Sequence, residues 1–122
     1  MSDISINQTS GQISIKLKVN SMQQVSFTIT IYAPDGNTVL EHYTGSSQIA
    51  NPFIIQLPNT PSSYVNDYVA GTIKLFDPAG AGNNYDIEIS LIQNGQDINP
   101  VISLQGTTIS GILSLQTIYH IK

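Results

Sequence analysis

Apolar and polar residues alternate with a period of two along most of this chain. Ile13, Ile15, Leu17 and Val19 are separated by Ser14, Lys16 and Lys18. Val25, Phe27, Ile29, Ile31 and Ala33 alternate with Ser26, Thr28, Thr30 and Tyr32. The rhythm returns over 85–91, and again where Leu113, Leu115, Thr117, Tyr119 and Ile121 alternate with Ser114, Gln116, Ile118 and His120. Successive side chains of a strand point to opposite faces, so each run predicts a half-buried strand. No long segment offers the i, i+3, i+4 spacing of an amphipathic helix. Shorter strands are predicted at 4–7, 38–44, 53–57, 69–76 and 101–105. The alternation assigns Ile15, Leu17, Phe27, Ile29, Ile73, Leu75, Ile87, Ile89, Leu113 and Leu115 to the core.

Turn chemistry separates these runs. Pro34-Asp35-Gly36-Asn37 predicts a tight hairpin with a positive φ at Gly36 or Asn37, and Asn94-Gly95 predicts a two-residue hairpin. Pro52 and Pro58 bracket 53–57, which places that strand at a sheet edge. Two long loops remain, 58–68 and 77–84. Strands in succession with turns between them predict one all-β domain over 1–122. The expected architecture is an antiparallel two-sheet β-sandwich of about eight or nine strands, a jelly roll or an immunoglobulin-like Greek key.

Composition narrows the function classes. The chain has 122 residues and a net charge of −4, and only 10% of it is charged. Four Lys and no Arg cannot build the basic stripe that neutralises nucleic-acid phosphates. No apolar run reaches the roughly 18–20 residues of a membrane-spanning helix. The first ten residues lack both the basic and the apolar region of a secretory signal. The chain as given therefore points to the cytoplasm, or to export by a route the sequence does not show. Without Cys, disulfides, thiolate catalysis and thiolate-held metals are excluded.

An enzyme is disfavoured by the residue inventory. The only imidazole bases are His42 and His120, no G-x-S-x-G elbow occurs, and the carboxylates Glu41 and Glu88 stand far apart in sequence. A Ca²⁺ site is conceivable in the second loop, where Asp77, Asn83, Asn84 and Asp86 crowd together as hard oxygen donors, although their spacing is not that of an EF-hand. Otherwise no cofactor is expected. Neutral carbohydrate would find hydrogen-bonding groups beside aromatic rings in Tyr64, Asn66, Asp67 and Tyr68, or in Asn83, Asn84 and Tyr85. With no Arg and few Lys, acidic glycans have little to pair with.

The surface suggests something else. Outward strand positions carry Ser, Thr, Gln and Tyr, whereas sheets usually guard their edges with charge, proline or bulges. The leading expectation is therefore a non-enzymatic structural or adhesive subunit that associates with copies of itself or with a protein partner. A small lectin-like module that binds neutral glycan through its loops is the alternative. Ile4 and Ile6 alternate with Asp3, Ser5 and Asn7 in an N-terminal strand without Lys or Pro. They are the candidate self-association residues, and the polar stretch that follows is expected to turn the strand back onto its own sheet.

Overall fold

The computed structural model describes residues 1–78, 80, 82–108 and 111–122. The strands are β1 (Ser2–Ile4), β2 (Ser14–Val19), β3 (Gln24–Tyr32), β4 (Val39–Ser46), β5 (Phe53–Gln56), β6 (Tyr68–Phe76), β7 (Asn84–Gln93), β8 (Gln96–Thr107) and β9 (Ile112–Ile121). They form two facing sheets, five strands in the order β1-β9-β6-β3-β4 and four in the order β5-β2-β7-β8. β3 and β4 form a hairpin, β5 crosses to the other sheet, and β6 returns to pair with β3 on the side away from β4. β3–β6 thus trace a Greek key split across the sandwich.

The predicted turns and edges hold. Asn94 and Gly95 have φ of 56° and 75°, the two positive values that a type I′ hairpin between right-twisted strands requires. Gly36 has φ 74°, and the Asp35 carboxylate closes that turn by accepting the Thr38 hydroxyl at 2.6 Å and the Asn37 and Thr38 amides, both at 2.8 Å. β5 is an edge strand. Ile15, Leu17, Phe27, Ile29, Ile73, Leu75, Ile87 and Ile89 are all buried.

Four expectations need correction. The first strand spans 2–4 rather than 4–7, and it pairs parallel to β9 rather than antiparallel. The polar stretch after it does not turn back; it crosses to the other sheet to start β2. Gln93 holds this crossover. Its buried amide donates to the carbonyls of Asn7, Ser10 and Gly11 at 2.6–2.8 Å and accepts the Asn7 amide at 2.8 Å. Second, the eighth strand extends to twelve residues, because Pro100 lies on an edge strand, where a missing N–H breaks no ladder. Third, the first long loop contains one 3₁₀ turn, Pro61–Tyr64. Fourth, Leu113 and Leu115 are only half-buried. β1 covers β9 at 119–121 alone, so the sandwich is open alongside the rest of that strand.

Two contacts fix how the sheets meet. On one side, the rings of Phe27 and Phe53 stand edge-to-face at 5.1 Å. Gly45 permits this approach, since a Cβ there would fall 2.5 Å from the Phe27 ring and 2.8 Å from the Phe53 ring. On the other side, Tyr119 reaches from β9 across the interior to a bulge between β7 and β8, where the register shifts between Ile89 and Leu91. Its hydroxyl lies 2.6 Å from the Pro100 carbonyl and 3.0 Å from that of Ile89, and it accepts the Ile102 amide at 3.2 Å. Burial pushes the Tyr119 phenol up to about 12, the main cause ahead of the Asp97 charge, which also raises it.

Replacing Tyr119 with Phe keeps the ring but strands buried backbone groups. It should cost about 1–3 kcal/mol in chemical denaturation. The raised phenol carries its own signature. The unfolded tyrosine loses its proton near its ordinary value of 10.0 and the folded one near 12, so stability falls as pH climbs through that interval. The Phe variant should lose this part of the alkaline slope. An identical slope in both proteins would assign it to other groups.

Candidate functional site

The residues singled out in the first long loop do not face one another. Asn66 takes φ 73°, a left-handed conformation that reverses the chain between its neighbours. Tyr64 and Asp67 are consequently driven inside, with 1% and 2% of their surface exposed, while Tyr68 stands on the outer face of the five-stranded sheet. Tyr64 therefore offers no platform to a sugar. Its hydroxyl accepts the Asn59 amide at 3.2 Å.

A cluster that the alternation did not anticipate forms around that buried pair. Glu41 and Tyr43 lie on the inward face of β4, opposite Ile31 and Ile29, and the Tyr43 hydroxyl donates to Glu41. Burial raises the Tyr64 phenol to about 12, helped by Glu41. The Tyr43 phenol is raised for the same reasons. Burial, followed by the Glu41 charge, pushes the Asp67 carboxyl upward, and its Oδ2 has no hydrogen-bond partner. A carboxyl with displaced titration beside another acid can mark an active site, but Tyr64 and Asp67 are closed off from solvent. The inward-facing acid has a structural consequence instead, because it discourages another strand from joining the β4 edge.

The second loop lies at the far end of β6. The eight steps of about 3.3 Å along nine-residue β6 separate the two loops by roughly 26 Å, so they cannot share one ligand. The Asp77 carboxylate is buried and accepts the Thr108 hydroxyl at 2.8 Å. The Asn83 amide donates to the Gly80 carbonyl at 3.4 Å, and Asn84 Oδ1 accepts the Thr107 hydroxyl at 3.0 Å. Asp86 stands on the outward row of β7. Tyr85 lies over Gly106, its cross-strand neighbour. Among the described residues, no group of three or more His, Asp or Glu side chains is placed to hold a metal.

The outer face of the five-stranded sheet carries a groove of about 490 Å³. Its floor is Ala70, a short side chain between Thr30 and Ile118. Along one side runs a cross-strand row of rings: Tyr32, Tyr68 and His120. Tyr68 stacks on His120 with ring centroids 4.5 Å apart. Thr72 and Gln116 line the other side. Beyond the ring row, Asp3 Oδ1 lies 3.5 Å from His120 Nδ1 and its Oδ2 lies 3.3 Å from Lys122 Nζ, which fastens β1 to β9. His42 sits on the opposite edge, 3.4 Å from the Thr30 hydroxyl. Three strand spacings, about 14 Å, separate the two histidines. The period-two pattern placed Tyr32 and His120 outward and left Tyr68 in the loop, and it could not align them across strands that are distant in sequence.

The last feature is the open side of the sandwich. Beyond β1, and beyond Met1 beside Ile118, no strand lies alongside residues 113–117 of β9 among the described residues. Leu113 and Leu115 are half-buried here, and half-buried Ile102 and Leu104 of β8 share a cleft with Gln116, Thr117 and Ile118 at this side. Ile112 and Ile118, 68% and 40% exposed, flank it on the outer face. The two proposed self-association residues lie elsewhere. Ile4 is 1% exposed and belongs to the chain's own core, and Ile6 packs half-buried against that core. Lysine at both positions would unfold the domain rather than report on association. No family model matches the chain, and neither does any curated protein or solved structure.

Asp67 supplies a test of the buried cluster. A carboxyl whose folded value is raised above 3.8 binds its proton more tightly in the native state. Its contribution to stability is therefore full below about pH 4 and is lost as pH rises through the folded value. Asp67→Asn should flatten the denaturation midpoint relative to the parent as pH rises above about 4. If the difference between the two proteins stays constant over that range, Asp67 does not titrate there.

Proposed function

We propose that this chain is a non-enzymatic structural or adhesive module whose function is association through a sheet edge, with copies of itself in first place and with another protein as the alternative. The observation that carries the reading is the uncovered stretch of β9, bordered by half-buried leucines and exposed isoleucines. An unpaired row of N–H and C=O groups beside apolar side chains is a template for another strand. The scarcity of charge on the outer faces removes the usual repulsion between copies. Enzymatic chemistry gains no support, since the buried acids are sealed and the histidines are separated.

The runner-up, a neutral glycan, draws support from one place, which is not the loops. The groove beside Tyr32 and Tyr68 has uncharged walls, with Thr72 and Gln116 within reach of a sugar. That reading expects Tyr32→Ala and Tyr68→Ala to abolish retention on a neutral glycan array, and an array without hits overturns it.

Sedimentation equilibrium across a concentration series tests the leading reading. The weight-average mass should climb above 13.2 kDa as the protein is concentrated from about 10 μM towards 1 mM. A mass that stays at the monomer value throughout overturns self-association.

A further inference from the structure

The uncovered stretch of β9 is close to self-complementary. We propose that two copies of this chain join antiparallel through residues 113–117, about a two-fold axis at Leu115, so that the two five-stranded sheets fuse edge to edge. The proposal rests on the reading of the chain as a self-associating module, and names its surface and its partner.

Backbone direction comes first. The Ile121 amide donates to Asp67 and the Ile121 carbonyl accepts from Asn66, both on the β6 side, whereas the Lys122 amide donates to Ile4 of β1. The β6–β9 ladder runs without a register shift. Odd-numbered residues of β9 therefore direct their N–H and C=O groups to β6, and even-numbered residues direct theirs to the other edge. At Ser114 and Gln116 that edge has no strand beside it. Pairing about Leu115 sets Ser114 opposite Gln116 of the second copy, and Gln116 opposite Ser114, as two hydrogen-bonded pairs.

Side chains agree with this register. On the outer face it brings Ile112 against Ile118 of the second copy, twice. Because Phe76 is the cross-strand neighbour of Ile112, and Ala70 that of Ile118, one apolar row then runs Phe76, Ile112, Ile118, Ala70 across the junction. On the inner face Leu115 meets its own copy. The segment 112–118 contains no charged residue and no proline, so no like charges oppose each other at the axis.

Other edges are guarded in ways this one is not. β4 has Glu41 facing inward, β5 lies between Pro52 and Pro58, and β8 carries Pro100 and a bulge. Five residues from each copy bury less than the roughly 800 Å² per partner of a standard interface, which places this dimer among the weak, reversible ones.

The absence of native Cys makes crosslinking decisive. Leu115 on the axis forms a non-hydrogen-bonded pair, with Cα atoms about 4.5 Å apart, inside the span of a disulfide. Leu115→Cys at about 100 μM should oxidise to a covalent dimer at least tenfold faster than Ser26→Cys on the outer face or Ser103→Cys on β8. Ser114→Lys with Gln116→Lys, both exposed, sets like charges opposite one another. That variant should keep the parent's circular dichroism and stay at the monomer mass where the parent approaches twice 13.2 kDa.

Failure can be located. A parent that stays monomeric throughout removes the self-association reading and this proposal together. A parent that associates while the lysine variant associates equally, or while Leu115→Cys crosslinks no faster than the controls, removes the β9 surface and leaves the reading. Growth beyond two copies overturns the closed two-fold arrangement.

Discussion

The hydroxyl of Tyr119 settles a conflict that the rest of this sandwich is arranged around. β7 and β8 cannot stay in one register from the Asn94-Gly95 turn to their far ends, and the bulge opposite Ile89–Leu91 leaves backbone groups of β8 unpaired in the interior. Buried N–H and C=O groups without partners are costly. A phenol from the opposite sheet meets the need by accepting from Ile102 and reaching the carbonyls of Pro100 and Ile89. This contact fixes the depth at which β9 lies across the core. β1 docks on residues 119–121 of the same strand, so the tyrosine that seals the bulge also sets where the covered part of β9 ends and the open seam begins.

Amide side chains take a share of the work that charges do elsewhere. Gln93 gathers three carbonyls of the crossover between β1 and β2. Asn51 accepts the Val19 amide and donates to the Val19 carbonyl, both at 2.9 Å. Its side chain thus extends the β2–β5 ladder beyond the last paired residue, Phe53. A neutral amide can supply both a donor and an acceptor to a buried backbone without the desolvation cost of an ion. The high content of Asn and Gln therefore belongs to the architecture as well as to the surface.

What the sequence made legible follows from the range of each signal. Alternation is local, and it identified β2, β3, β7 and β9 together with eight of the ten core positions named from it. Turn chemistry is local too, and Asp35-Gly36 and Asn94-Gly95 fold as their residues dictate. Partnership is not local. Leu113 and Leu115 have the same pattern as Leu17, but their burial depends on whether a strand lies beside β9, which only the parallel docking of β1 decides. The loop residues illustrate a second limit. Tyr64, Asp67 and Tyr68 look like one polar–aromatic set, yet the positive φ at Asn66 sends two of them into the core and the third onto the sheet. The row of Tyr32, Tyr68 and His120 draws on three strands and has no signature in any one of them.

The charges of this chain are few, and their positions explain why one edge differs from the others. Lys16 pairs with Asp97 at 2.9 Å across the outer face of the four-stranded sheet, Asp3 holds His120 and Lys122 where β1 ends, and Glu41 turns into β4. None falls within 112–118. A bare, neutral edge ordinarily invites open-ended pairing. Here its length is bounded, because β1 stands beside 119–121 and β9 begins at Ile112. Only a stretch of five residues, 113–117, remains, and the proposed two-fold junction would use the bare edge of both copies at once, so that growth would stop at the pair. The far edges exposed by such a pair are those of β4, which the inward carboxylate protects. An edge that is short and, in the proposed pair, consumed by its own copy would need no charge to guard it, and that would let a chain this poor in charge leave one strand uncovered.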